Sequence, residues 1–264
     1  MKIFKLLTNG VVAALLLSAA GLCSSITREF NKTFDFDGDE VNIRTVNGRI
    51  FIESWNKDVV DVNAEIKVRA SSKSLAREYL KNIEIVVRER GDVLIIKVEQ
   101  PHDRGGSFMD WIFGGGKPNV TVNFWIKTPE EMDIEASSVN GSVEAVGIVG
   151  QASIRTTNGK IVAEEIKGAV QASTTNGSIF VDIQAHNLDD DIDLHTVNGS
   201  IKLIVDRDIE ADVNISTVNG SISTDFPLEV KGKWGPKKAN GEINGGGPLI
   251  KLETVNGSVA IRAE

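Results

Sequence analysis

Side chains able to do chemistry are sparse in this chain. His102, His186 and His195 stand far apart in sequence. No Gly-x-Ser-x-Gly, His-Glu-x-x-His or phosphate-binding glycine loop accompanies them. His195 sits between Leu194 and Thr196, the outward place of an alternating strand, and reads as a surface histidine. Asp35-Phe-Asp37-Gly-Asp39-Glu40 looks like a calcium loop, but its Gly comes two positions early for an EF-hand and no helix flanks it, so a turn is expected. Asp189, Asp190 and Asp191 could hold calcium between layers or form the carboxylates of a polysaccharide-cleaving β-helix. Their place in a spacer before a repeat favours a solvated turn. The expectation is a non-enzymatic chain with no catalytic residues, no cofactor and no metal.

Binding is the better-represented chemistry. Residues 100–118 hold Phe108, Met109, Trp111, Ile112 and Phe113 between glycines. Such a cluster either meets a partner or membrane, or folds back as a cap over one end of the structure. Residues 226–248 hold Lys231, Lys233, Trp234, Lys237 and Lys238 among many glycines, a composition for gripping an anionic glycan or for a solvated loop. The balance of 29 basic and 37 acidic residues, net −8, argues against nucleic acid, because phosphate contact needs basic clusters. The expected partner is an envelope protein or a glycan.

These stretches must be positioned by a repeat. Thr-Val-Asn-Gly-Ser-Ile is complete at 196–201 and 217–222, and ends in Val at 254–259. Related stretches place Asn-Gly pairs at Asn47-Gly48, Asn140-Gly141, Asn158-Gly159, Asn176-Gly177, Asn198-Gly199, Asn219-Gly220 and Asn256-Gly257. After the first pair the spacings are 18, 18, 22, 21 and 37, and the 37 divides at a worn Asn240-Gly241-Glu242-Ile243. A period near 20 marks a chain built by stacking one unit. Both arms of the unit keep period two: Ile154 and Thr156 precede Asn158, and Ile161 and Ala163 follow it, with polar residues between.

Two topologies satisfy the parity. Asn-Gly suits a two-residue type I′ hairpin turn, giving a meander. Alternatively each 18–22 residues make one coil of a β-solenoid, parallel β-helix-like, whose equivalent strands pair in parallel over a continuous interior. The recurrence of the same residue types over a whole coil favours the solenoid. It predicts an asparagine ladder along one corner, with each following Gly in left-handed backbone, and alternation of small and large residues in Ala136, Ile154 and Ala172.

The remaining chain divides simply. Residues 1–23 read as a signal peptide: Lys2 and Lys5, an apolar run 11–17 too short to span a bilayer, then small residues. Ala20-Gly21-Leu22-Cys23 resembles a bacterial lipoprotein box except for Leu22, so Cys23, the single cysteine, is a possible lipid anchor, and no intrachain disulfide can form. No transmembrane segment is expected after signal cleavage. Residues 24–264 are expected to be one all-β domain: 24–130 hold strands at 33–36, 41–45, 49–53, 59–69, 83–88, 93–99 and 120–127 and one short helix near 72–83 capped by Ser72 or Ser74, and 131–264 hold the regular repeats.

The repeats, the run from Gly245 through Pro248 to Val259, and Trp55-Asn-Lys-Asp-Val-Val-Asp-Val62 resemble the putative adhesin family, bacterial envelope proteins with β-strand repeats. The resemblance covers residues 30–264. It implies an exported, non-enzymatic, β-solenoid-like envelope or surface binding module, located in the periplasm, on the outer membrane surface or outside the cell, and it brings no functional residues with it. The alternatives are a periplasmic scaffold or sensor component of an envelope-stress or regulatory system and, further off, a polysaccharide-active β-helix enzyme using Asp190 and Asp191.

Overall fold

The structure is a computed structural model that describes residues 24–100, 118–185, 188, 190–232 and 235–264. The N-terminal part comprises β1 (Ser24–Asp35), β2 (Glu40–Arg44), β3 (Ile50–Trp55), β4 (Val59–Ala70), α1 (Lys73–Lys81), β5 (Glu84–Arg90), β6 (Val93–Glu99) and β7 (Asn119–Pro129). β1 pairs antiparallel with β4 over its whole length, from Ser24 opposite Ala70 to Asp35 opposite Val59. This is a longer strand than the alternation around 33–36 announces. Residues 24–32 are mostly polar, and β1 extends because the long edge of β4 offers it backbone partners. Ser72 caps α1, its Oγ accepting from the Leu75 N–H at 3.2 Å. The helix buries Ala76 and Leu80 and packs on β4 and β1, closing that end of the core.

The repeats follow: β8 (Asp133–Asn140), β9 (Val143–Val146), β10 (Ala152–Asn158), β11 (Ile161–Ile166), β12 (Val170–Asn176), β13 (Ile179–Ile183), β14 (Ile192–Asn198), β15 (Ile201–Val205), β16 (Ala211–Asn219), β17 (Ile222–Thr224), β18 (Glu229–Lys231), β19 (Lys237–Ile243), β20 (Leu249–Asn256) and β21 (Val259–Ala263). Each Asn-Gly carries the chain round a corner from one sheet to the other. The arms before it pair in parallel, Ile134 with Ala152 and Ala152 with Val170, and so do the arms after it, Val143 with Ile161 and Ile161 with Ile179. Parallel pairing of successive units excludes the hairpin meander and makes the fold a β-solenoid.

Layer order departs from chain order at the C-terminal end. One sheet runs β1-β4-β7-β3-β9-β11-β13-β15-β21-β17, the other β18-β19-β16-β20-β14-β12-β10-β8-β2-β6-β5. The last unit in sequence is therefore inserted between the two before it. The worn repeat at 240–243 is not a coil. It lies in β19, which runs antiparallel to β16 from Thr217–Lys237 to Ala211–Ile243 and pairs on its other side with β18. This hairpin occupies much of the segment expected to be a loop, and with Ala239 and Ile243 buried it covers the outermost layer.

Both sheets turn their period-two apolar residues inward. One column through the stack reads Ile43, Ala136, Ile154, Ala172, Leu194, Leu252 and Ile215, all buried. Small alternates with large through Ala172, as expected, and three large residues then follow. No described helix is long and apolar enough to cross a membrane.

Candidate functional site

The repeated motif is a structural device at the corner. In five layers the threonine two places before Asn is buried and donates from Oγ1 to the carbonyl of the glycine in the adjoining layer: Thr156 to Gly141 at 3.0 Å, Thr174 to Gly159 at 3.1 Å, Thr196 to Gly177 at 2.9 Å, and likewise Thr217 to Gly257 and Thr254 to Gly199. Ser138 does the same to Gly48. The next glycine lies over that same carbonyl, so an added Cβ at Gly159, Gly177, Gly199 or Gly257 would stand 1.9 Å from it. Glycine is thus demanded by close approach. The expected left-handed backbone is found only at Gly48, with φ +139; Gly141, Gly159, Gly177, Gly199, Gly220 and Gly257 lie outside that region. A corner between two sheets does not need the two positive φ angles of a type I′ hairpin.

The asparagines form the expected ladder. Asn140 Nδ2 donates to Asn47 Oδ1, and the chain continues through Asn158, Asn176, Asn198, Asn256 and Asn219, each bond 2.8 Å. All six bonds point one way, and the series ends where Asn47 Nδ2 donates to the Val120 carbonyl at 3.3 Å.

At that terminus lies a groove of about 580 Å³ on the outer face of the sheet. β7 builds one wall. Its inward residues Val122, Phe124 and Ile126 are buried, which turns Thr121, Asn123 and Trp125 outward by alternation. The first two corners supply the opposite wall with Arg49 and Ser142. Trp125 is 43% exposed, flanked in register by Phe51 on β3 and Asn63 on β4. It is the only aromatic side chain exposed to this degree among the described residues. Asn123 Oδ1 accepts from the Arg49 backbone N–H at 3.0 Å, which orients the amide within the groove lining. No carboxylate lines the groove itself, but two border it: Glu144 Oε1 accepts from the lining Ser142 Oγ at 3.5 Å, and Glu65 stands in register with Asn123. Sequence reading passed over this site, although its signal was present: Trp125 is the one aromatic in the outward series Asn119, Thr121, Asn123, Trp125, Lys127.

The other candidates separate. Phe108, Met109, Trp111, Ile112, Phe113 and Trp234 lie outside the described residues, as do Cys23 and residues 1–22. His195 is on the outer face, its Nδ1 3.9 Å from Glu253. Asp191 Oδ1 accepts from the Leu249 N–H at 2.7 Å and so ties a turn to the inserted layer. Residues 36–39 form the turn between β1 and β2. No cluster of three or more metal-ligating side chains occurs among the described residues.

A "putative cell adhesion protein" from Clostridium sporogenes is 14% identical, covering 90% of this chain and 100% of its own, with a TM-score of 0.42. A "putative adhesin" from Bacteroides fragilis is 14% identical over 90% and 97%, with a TM-score of 0.31. One from Parabacteroides distasonis is 11% identical over 89% and 97%, with a TM-score of 0.34. No curated protein matches in sequence. Residues 37–262 match the family described as Toastrack DUF4097, from the turn before β2 to the last strand, and the chain belongs to that family.

Proposed function

We propose that this protein is an exported, non-enzymatic binding module of the bacterial envelope, making adhesive contact at the cell surface. One observation carries the reading: a rigid solenoid, its layers locked by the ladder, holds the exposed Trp125 ring beside amide and hydroxyl side chains. Amides and hydroxyls do not titrate near neutral pH and form hydrogen bonds in both senses, so they suit holding a ligand rather than moving protons. The strand β7 and the ladder-locked corners carry them, so little ordering cost accompanies contact.

Protease shaving of intact and lysed cells, followed with an antibody to residues 24–264, tests the location. Digestion on intact cells is the expected result. Protection until lysis overturns the surface assignment and favours a periplasmic scaffold or sensor.

A further inference from the structure

We infer that the groove between β7 and the first two corners binds an uncharged, hydroxyl-rich glycan chain, with Trp125 as the stacking platform; this deepens the binding-module reading and rests on it. The first support is charge. The chain carries 37 acidic residues, yet the groove lining has none and a single cation, Arg49. A bound metal ion or a basic peptide would require carboxylates there, and a polyanion would require more than one cation.

The second support is the type of hydrogen-bonding group. Asn119, Asn123, Thr121 and Ser142 both donate and accept; Thr121 Oγ1 donates to Asn119 Oδ1 and Ser142 Oγ to Glu144 Oε1, each at a long 3.5 Å that a ligand hydroxyl can displace. Sugar hydroxyls have the same dual character, and alternate donors and acceptors along a sugar can be matched only by groups of that kind. The Asn123 amide is held by the Arg49 N–H at 3.0 Å, so it is oriented before a ligand arrives.

The third support is the indole. It is 43% exposed on the sheet between Phe51 and Asn63, an apolar ring beside polar groups. The C–H face of a pyranose ring stacks on such a plane while its equatorial hydroxyls reach outward to the amides. The groove is open and lies on a sheet face, which suits an internal stretch of a longer chain.

The test uses the purified protein on an array of bacterial-envelope and host-surface oligosaccharides chosen to contain vicinal diols, each spot read before and after periodate cleavage of those diols. Wild type is expected to bind a subset, and periodate to abolish the signal. Trp125→Ala should weaken binding roughly tenfold or more, Trp125→Phe should retain part of it, and His195→Ala, on the other sheet, should leave it unchanged. Circular dichroism and thermal melts of each variant separate loss of contact from loss of fold. Absence of binding to every glycan, binding that survives periodate, or wild-type binding by a folded Trp125→Ala overturns the inference. In parallel, the protein is applied to isolated envelopes with and without protease treatment. Protease-sensitive capture together with a blank array would leave the binding-module reading standing and the glycan assignment rejected; no capture and a blank array would reject both.

Discussion

Asn256 donates from Nδ2 to Oδ1 of Asn198 at 2.8 Å, across 58 residues of chain, and Asn219 donates to Asn256 from the other side at the same distance. The final repeat is thereby a middle layer of the stack. Its amide continues a chain of side-chain hydrogen bonds with a single direction, in which each bond polarises the next.

That direction makes the ladder's members unequal. Asn176→Asp removes the donor to Asn158 Oδ1 and sets two oxygens against each other. Asn47→Asp keeps its acceptor for Asn140 and sets an oxygen against the Val120 carbonyl only across the longer 3.3 Å separation, where the repulsion is weaker. Urea denaturation should show a loss of about 1–3 kcal/mol for the first and under about 1 kcal/mol for the second. Equal losses would contradict the direction.

Insertion of the last unit also bears on truncation. β20 lies between β14 and β16, and β21 between β15 and β17. Deleting 249–264 leaves an internal gap, with Leu194 and Ile215 losing their in-register partner Leu252. The truncated protein is expected to lose its cooperative thermal transition by circular dichroism. A stack in chain order would merely lose an end layer and melt normally.

Gly199→Ala places a Cβ 1.9 Å from the Gly177 carbonyl, which Thr196 also holds. Backbone cannot yield there without parting two layers. The expected cost is about 1–3 kcal/mol or more, read as a lowered Tm. Gly91→Ala, with nothing within 4 Å, meets only the strain of φ +61 and should cost less. A wild-type Tm for Gly199→Ala would reject the close-approach account.

Asp182 is the site for a pH experiment. Burial pushes its carboxyl above the ordinary aspartate range, and the nearby Glu264, Glu164 and Glu165 add to this, while Lys202 opposes. Its Oδ1 has no hydrogen-bond partner among the described residues. An acid with a raised folded pKa holds its proton more tightly when folded, so its contribution to stability is fully present below the ordinary aspartate range and is lost as pH rises through the raised folded pKa. Asp182→Asn should therefore raise Tm at about pH 7 and leave it unchanged at about pH 3, where the carboxyl is protonated in both states. A gain independent of pH would show that charge is not the cause.

The chain's own pattern determined the unit. Period two on each side of Asn-Gly dictates which residues are buried, because it follows from local strand geometry, and repetition every 18–22 residues favours parallel stacking over the hairpin meander that the strand pairing excludes. The ladder was legible for the same reason: identical residues recur at one corner. Helix α1 was legible from the side-chain spacing of Leu75, Ala76, Tyr79 and Leu80, and its cap as Ser72 or Ser74, of which the structure uses Ser72. What the tertiary structure decided is of another kind. The place of β20 between β14 and β16 depends on which edges are free when the last strand arrives, a matter of long-range pairing that no local window contains. The demand for glycine comes from a carbonyl one layer away, as with Gly177 beneath Gly199, and not from its own φ. Trp125 becomes a platform only because β7, remote in sequence from the Asn47 corner, is laid beside it by pairing with β3 and β4. Local periodicity specifies faces; contacts between distant segments specify layers and sites.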